Sequence, residues 1–401
     1  MAKPVLVLNC GSSSIKFALF DGEADPLPRK AEWAGSVEGI GSANPICVEA
    51  GAAPITLTLG RDNPYHAALT HVRNRVVKQT GGHPPAALAH RVVHGGSKYA
   101  VPVLVDAGVL ADLESYVPLA PLHQPFALEA IRTLLAEVPE LPQVACFDTA
   151  FHRTLPQVEQ MLPLSHAHWE RGVRRYGFHG LSYEYLSIAL AERHGDAARG
   201  RTIVAHLGSG ASLCAMNGLK SVATTMGFSA LEGLMMGTRC GSLDPGVLLY
   251  LLEVEKLDLK QLTRLLYKES GLLGVSGLSA SPKELLDAEA TNPRARAALE
   301  LYVRRIVRET GALAAALGGL DMLAFTAGVG ERSAVLRERI CRALAWLGIE
   351  LDDGANRANA PTISRAGSRV RVAVEPTNEE WVAARQALGV LSAVSVAESL
   401  P

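Results

Sequence analysis

The residues able to do chemistry gather at three glycine turns, each reached by an apolar run. The first is Asn9-Cys10-Gly11-Ser12-Ser13-Ser14-Ile15-Lys16, preceded by Val5-Leu6-Val7-Leu8. Three hydroxyls, the turn's N–H groups and the Lys16 ammonium can donate to an anion, and Gly11 lets the backbone approach a phosphate closely. Asn9, at the strand's end, can hold a metal-bound water. Taken alone, the stretch is equally an ordinary serine-rich hairpin turn. The pattern returns in Thr202-Ile203-Val204-Ala205-His206-Leu207-Gly208-Ser209-Gly210-Ala211-Ser212 and its apolar continuation to Gly218. A third turn, Gly328-Val329-Gly330-Glu331-Arg332-Ser333, follows the apolar run ending at Thr326 and opens a helix-like segment. Three such turns, two with return strands, point to a duplicated domain with phosphates gripped between the halves. None is a Walker loop: Gly11 to Lys16 lacks the spacing, and the other two lack the third glycine of the dinucleotide fingerprint.

Other single residues invite a chemical reading beside a plainer one. Arg91 interrupts the apolar strand end Arg91-Val92-Val93-His94-Gly95-Gly96. A guanidinium buried there needs an anionic partner, and its planar fork suits carboxylate or phosphate; a structural ion pair is the alternative. Asp148 closes a short strand, and a carboxylate at the carboxyl end of a central strand of an α/β sheet faces the ligand crevice. An Asp capping the next helix has the same spacing. His179, in Tyr176-Gly177-Phe178-His179-Gly180, reads as a side chain aimed into a cleft or as part of a packed loop. Arg239 lies between Gly237 and Gly241, in a stretch too polar and glycine-rich for a core strand. His123 precedes a helix, where neutral imidazole can donate to an anion. Glu379, in the first turn of the last helix, also serves the helix dipole. His166 and His168 have no Cys or acidic cluster nearby and read as surface histidines.

Periodicity supplies the elements that must position these residues. It predicts a strand, a turn and a return strand over 5–20, a helix over 65–79 stopped by Gly81-Gly82, and strands over 86–93 and 143–147. Helices are expected over 126–138, 181–192, 247–252, 294–317 and 335–347. The long helix 294–317 presents Leu299, Val303, Ile306 and Leu313 on one face. A short β-like run covers 54–59, and a strand over 370–374 leads through Pro376 to a last helix, capped by Thr377, ending near Leu391 and returning to the first domain. The 401 residues, 48% hydrophobic and 20% charged, suit a soluble globular enzyme of two or three domain-sized units. Thirty-nine Lys and Arg against 40 Asp and Glu leave a net charge of -1, so there is no basic footprint for nucleic acid and the expected partners are small. Six cysteines without a C-x-x-C pair fit reduced thiols, and no apolar run approaches the ~18 residues of a membrane span; a cytoplasmic location is expected.

The motifs carry a family resemblance. The chain resembles the acetate kinases, within the acetate and sugar kinase, chaperone ATPase and actin superfamily, from about Val5 to about Leu388. The matching stretches are 9–16, 90–96 (His90-Arg91-Val92-Val93-His94-Gly95-Gly96), 120–123, 147–152, 176–180 and 231–241 (Leu231-Glu232-Gly233-Leu234-Met235-Met236-Gly237-Thr238-Arg239-Cys240-Gly241). The resemblance implies an α/β chain of duplicated RNase-H-like, actin-like ATPase domains with an interdomain nucleotide cleft. Residues 1–150 with 382–401 would form the substrate and phosphate side, and 151–381 the nucleotide-binding side. It implies reversible phosphoryl transfer from ATP to acetate, giving acetyl phosphate and ADP, with Mg2+ (or Mn2+) as cofactor, in a homodimer. By resemblance Arg91, Asp148, His179 and Arg239 are catalytic, and Asn9 and Glu379 hold the metal. Arg91, Val93, Leu122, His123, Phe178 and Ala230 would bind the acyl substrate. Lys16, Ser12, Ser14, His206, Leu207, Gly208, Ser209, Gly210, Ser281, Pro282, Lys283, Gly328, Val329, Gly330, Glu331 and Arg332 would bind the nucleotide. Acetate is already ionised at pH 7, so Asp148 serves either a proton or the orientation of magnesium.

The chain departs from the family pattern at Gln124 and Phe126, at Ser281-Pro282-Lys283 where Asp and Arg commonly flank the adenine, at Ser209 where many relatives carry Asn, and at Ala230 where many carry Pro. Alternatives are a propionate or other short-chain carboxylate kinase, and a non-catalytic ATP-dependent clamp. Arg91, Asp148, His179 and Arg239 together argue against the clamp, which would need only nucleotide contacts.

Overall fold

The computed structural model describes residues 4–60, 62–121 and 123–398. The chain divides into two compact units, Met1–Phe151 with Asn378–Pro401, and His152–Thr377.

In the first unit β1 (Pro4–Cys10) and β2 (Ser14–Asp21) form the hairpin expected around Gly11, with Asn9 opposite Lys16. β3 (Trp33–Glu38), β4 (Ile46–Glu49) and β5 (Ile55–Thr56) extend it as an antiparallel ribbon. β6 (Ala87–Val92), β7 (Val103–Leu104) and β8 (Gln143–Phe147) complete an eight-stranded sheet of order β5-β4-β3-β2-β1-β6-β8-β7. β1, β6 and β8 run parallel. Their nearly continuous apolar sequence follows from burial on both faces. On one face Leu6, Leu8 and Leu88 pack with Leu69, Val72 and Val76 of the helix Pro64–Gln79 and Ala130 of the helix Gln124–Glu137. Residues of odd number on β1 point the other way. There the terminal helix Glu379–Glu398 packs on β1, β6 and β8, and the Cys146 thiol reaches the Ala383 carbonyl at 3.7 Å.

In the second unit β9 (Arg201–Leu207), β10 (Ala211–Asn217) and β11 (Lys220–Thr224) form an antiparallel meander. β12 (Met322–Thr326) and β13 (Arg371–Val374) add parallel to β9. The order β11-β10-β9-β12-β13 repeats β3-β2-β1-β6-β8 of the first unit strand for strand. This is the duplication expected from the paired turns, in the α/β, RNase-H-like class that the resemblance implies. The helix Pro293–Leu317 lies on β9 to β11, starting at Asn292, whose side chain accepts from the Arg294 and Ala295 N–H groups, and stopping at Gly318. Leu299, Ile306 and Leu313 are buried on its inner face, while Val303 is only half-buried.

Several boundaries differ from expectation for local reasons. The helix predicted over 126–138 begins at Gln124, because Pro125 fits the first turn, where no N–H is needed. The segment 335–347 is a helix over Ala334–Ala343 and a separate 3-10 turn over Ala345–Leu347. Thr377 is not the cap of the last helix. Asn378 Oδ1 accepts the Trp381 N–H at 3.1 Å, the Thr377 hydroxyl donates elsewhere, and the helix continues to Glu398.

Candidate active site

In the first unit the chemistry converges at the carboxyl ends of β1, β6 and β8. Arg91 on β6 donates from Nε to Asp148 Oδ1 at 3.0 Å and from Nη2 to Oδ2 at 2.7 Å, a fork-to-fork pair with a carboxylate that is 2% exposed. Its third nitrogen, Nη1, lies 3.4 Å from Asn9 Oδ1 and 3.5 Å from Glu379 Oε2. Burial disfavours the Arg91 charge, but Asp148, Glu379 and Glu380 outweigh it and raise its pKa. The Glu380 carboxyl is pushed up by burial and then by Glu379, with Lys16 and Arg91 opposing. Asn9, Arg91, Asp148 and Glu379, far apart in sequence, are thus one cluster.

The residues around this cluster divide sharply. The Gly11 N–H donates to the Ser14 carbonyl at 2.8 Å and closes the hairpin turn, leaving Ser12 and Lys16 exposed. Val93 follows β6 and is half-buried. Leu122 lies outside the described residues. His123 takes the position before the helix Gln124–Glu137, and its side chain makes no capping bond there. Gln124, marked by sequence only as a departure, is fully buried: its Oε1 accepts the His94 N–H at 3.1 Å and its Nε2 donates to the His94 carbonyl at 2.9 Å. It pins the backbone that follows Val93.

In the second unit His179 precedes the helix Gly180–His194 with φ 58, a left-handed conformation rare for a residue with a Cβ. Its loop is held from behind. His152 is buried with Nδ1 2.8 Å from Ser221 Oγ, and its Nε2 donates to the Phe178 carbonyl at 2.9 Å. Burial lowers the His152 pKa to about 4, so the ring stays neutral and keeps both bonds. Gly177 has no alternative, since a Cβ there would stand 2.5 Å from the His152 ring. Phe178 is buried.

The His179 ring stacks on His206, the centroids 4.2 Å apart and the planes 13° from parallel. His206 and Leu207 end β9, and the Gly208 N–H donates to the Gly210 carbonyl at 3.0 Å to close the second turn. A Cβ on Gly210 would stand 3.0 Å from His179 Nε2 and 3.2 Å from Arg239 Nη2. A ring nitrogen and a guanidinium nitrogen therefore crowd the same stretch of backbone, where a Cβ would be tight. Arg239 Nη1 donates to the Ala230 carbonyl at 2.7 Å, and burial lowers the guanidinium's pKa. Among the described residues no carboxylate pairs with it. Burying that charge without a counter-ion is costly.

The remaining expected nucleotide residues fall in two places. Gly328, Val329 and Gly330 form not an open turn but the short helix Ala327–Arg332, entered through Ala327 at φ 63. Glu331 Oε1 accepts the Thr377 N–H at 3.2 Å, and Arg332 is exposed. Arg337, which no sequence pattern singled out, is fully buried and donates from Nη1 to the Gly330 and Glu331 carbonyls, each at 2.8 Å, and from Nε to Asn356 Oδ1 at 2.9 Å. It ties down the end of that helix. Ser281 caps the helix Pro282–Ala288 by accepting the Glu284 N–H at 3.5 Å, with Pro282 and Lys283 in its first turn. Sequence reasoning also passed over His152, Ser182, Tyr183 and Ser212. For Ser212 a signal existed, because it pairs with His206 across the hairpin.

Residues 4–385 match the acetokinase family. The chain belongs to that family. It is 47% identical over 390 residues to the acetate kinase of Rhodopseudomonas palustris, covering 96% of this chain and 98% of the relative. It is 42% identical to the acetate kinase of Rickettsia felis over 97% and 99% of the two chains. Among solved structures, the acetate kinase of Porphyromonas gingivalis superposes with a TM-score of 0.86 at 37% identity, covering 97% of this chain and 100% of that one. A propionate kinase from Francisella tularensis superposes with a TM-score of 0.89 at 34% identity over 96% and 99%. No helix among the described residues is long and apolar enough to cross a membrane.

Proposed function

We propose that the protein transfers the γ-phosphoryl group of ATP reversibly to acetate, giving acetyl phosphate and ADP. The observation that carries this reading is the convergence of Arg239 Nη2 and His179 Nε2 on Gly210, a cation and a ring nitrogen at bare backbone. Phosphoryl transfer depends chiefly on positioning and charge neutralisation, which is what such a cluster supplies. An acetate oxygen attacks phosphorus, the bond to the bridging oxygen breaks, and its electron pair stays on ADP. No proton must move, because acetate enters as an anion. Asp148 accordingly works through Arg91: it occupies Nε and Nη2 and so fixes the direction of Nη1, which points to Asn9 and Glu379, the edge at which the anionic substrate meets the charge. Arg239 and His179 meet the transferring group, and Val93 borders the acyl side. The β9–β10 turn, the helix Ala327–Arg332 and the segment at Ser281 take the nucleotide.

Magnesium suits the first unit's donor set. Asn9 Oδ1 and Glu379 Oε2 both lie within 3.5 Å of Arg91 Nη1, and both are the hard oxygen donors magnesium prefers. Among the described residues no three His, Cys, Asp or Glu side chains gather as a metal group. Magnesium needs only one or two protein oxygens when water and phosphate complete the shell. When bound, it neutralises phosphate oxygens. The homodimer belongs to the same reading: the helix Pro245–Glu253 buries none of its residues and exposes Leu249 at 58% and Tyr250 at 52%, a face we assign to a second copy.

A short-chain carboxylate kinase preferring propionate is the second reading, favoured by the Francisella tularensis superposition. A coupled assay with ATP, magnesium and either acetate or propionate decides between them. Acetate is expected to give the higher kcat/KM, and absence of turnover with both acids would sink the kinase assignment.

A further inference from the structure

Behind the stacked imidazoles lie two hydroxyl pairs, all in the second unit. Tyr183 Oη is 2.5 Å from Ser212 Oγ, which is 2.8 Å from His179 Nδ1. In parallel, Thr377 Oγ1 donates to Ser182 Oγ at 2.9 Å, and Ser182 Oγ is 2.8 Å from His206 Nδ1. Ser182, Tyr183 and Ser212 are wholly buried. Ser182 and Tyr183 are adjacent in the first turns of the helix that His179 precedes, and Ser212 stands opposite His206 in the β9–β10 register. Each histidine thus takes its Nδ1 partner from a different element.

A hydroxyl has one hydrogen to give, and a neutral imidazole carries its hydrogen on one nitrogen only. A phenol is a better donor and a poorer acceptor than an alcohol, so Tyr183 donates to Ser212 and the Ser212 hydrogen turns to His179 Nδ1. Thr377 likewise donates to the Ser182 oxygen, and the buried Ser182 hydrogen finds its acceptor in His206 Nδ1. Both rings then carry hydrogen on Nε2. Those two atoms face the same turn: a Cβ on Gly210 would stand 3.0 Å from His179 Nε2, and a Cβ on Gly208 3.6 Å from His206 Nε2. The opposite wiring would aim bare nitrogen lone pairs at an incoming phosphate.

We propose that Ser212 and Ser182 are positioning residues that hold His179 and His206 as two parallel Nε2–H donors toward phosphate oxygens at the Gly208–Gly210 turn. The idea rests on the phosphoryl-transfer reading, but its first readout does not need turnover. In the full chain labelled with 15N-histidine, long-range 1H–15N spectra should show the Nε2–H tautomer for both rings. Ser212→Ala should move His179 toward the Nδ1–H form and leave His206 alone; Ser182→Ala should do the reverse. Ser212→Ala should lower kcat about tenfold, part of the ~10²–10³ seen when a donor is removed outright. KM for ATP and acetate should hold, and Ser212→Thr should restore both tautomer and rate. Tyr183→Phe, which deletes only the distant hydroxyl, guards against a misfolded Ser212→Ala and should shift the His179 tautomer in the same direction. An Nδ1–H pattern in the wild-type protein overturns the wiring, and a shifted tautomer with unchanged kcat overturns its catalytic purpose. Failure of the kinase reading itself would look different: wild-type spectra as expected, with no acid phosphorylated.

Discussion

Arg91 and Asp148 form a two-point pair in which the carboxylate is nearly closed to solvent while the guanidinium keeps Nη1 toward Asn9 and Glu379. The pair orients the arginine. Arg91→Lys keeps the charge but loses the fork, so kcat should fall by ~10²-fold, the scale of one preorganised contact. Arg239→Ala should cost ~10²–10³ in kcat for the same reason. Their stabilities should diverge. Arg91→Ala takes the fork from a buried carboxylate and should lower the unfolding midpoint, whereas Arg239→Met removes a cation that has no carboxylate partner among the described residues and should leave the midpoint equal or higher. Near-wild-type turnover in an Arg239 variant would remove that residue from the site.

Acid should unfold the protein through its buried histidines. His90, His94 and His152 are each lowered by burial to about 4 from an ordinary 6.5. Between those values the unfolded chain binds more protons than the folded one, so stability rises with pH there. The contribution of each is complete above pH 6.5 and is lost as pH falls toward 4, on the order of 3 kcal/mol per histidine. Urea midpoints measured across this window should fall with acid, and His152→Gln should lower the proton uptake on unfolding by about one. An unchanged slope would mean that His152 is not held neutral by the fold.

Acyl selectivity should respond to Ala230 in two ways at once. By resemblance this residue borders the acyl group, and the Ala230 carbonyl also accepts from Arg239 Nη1. Ala230→Pro should sharpen acetate over propionate, within the ~1–3 kcal/mol that one methylene is worth, and should also lower kcat with both acids. The test is kcat/KM for acetate, propionate and butyrate in both proteins. If the acetate-to-propionate ratio stays constant, Ala230 does not shape the pocket.

Nucleotide choice should be relaxed. By resemblance Ser281 and Lys283 stand where the family commonly places Asp and Arg beside the adenine; Ser281 caps a helix, and an ammonium cannot stack on a base as a planar guanidinium does. Ser281→Asp keeps a capping oxygen, and combined with Lys283→Arg it should raise the ATP-over-GTP ratio of kcat/KM several-fold, ~1 kcal/mol in the terms of one added polar contact. A wild-type protein already as selective as the double variant would end this idea.

The exposed helix face should govern assembly. Leu249→Glu with Tyr250→Glu places two charges on a surface assigned to a second copy, where unpaired charge is costly. Sedimentation should show a dimer for the wild type and a monomer for the variant. A wild-type monomer would leave that face unexplained by self-association.

The sequence alone determined what depends on local order: continuous apolar runs that become buried strands, glycines at strand ends, the apolar face of the long helix 294–317, and motifs dense enough to show the family. The paired turns even disclosed the duplication, because a strand, a bend and a return strand are read within twenty residues. Tertiary structure alone decided which distant groups share a hydrogen bond. Nothing in the chain order says that Asp148 would occupy two of Arg91's nitrogens, that Gln124 would lock His94, or that Arg337 would hold Gly330. A hydroxyl such as that of Ser182 looks like neutral filler in sequence, since a hydroxyl's direction is set only by the partner that packing brings within about 3 Å. Thr377 shows the difference most plainly: its position after Pro376 reads as a helix cap, yet the fold gives the cap to Asn378 and turns the Thr377 hydroxyl to Ser182, 195 residues away along the chain.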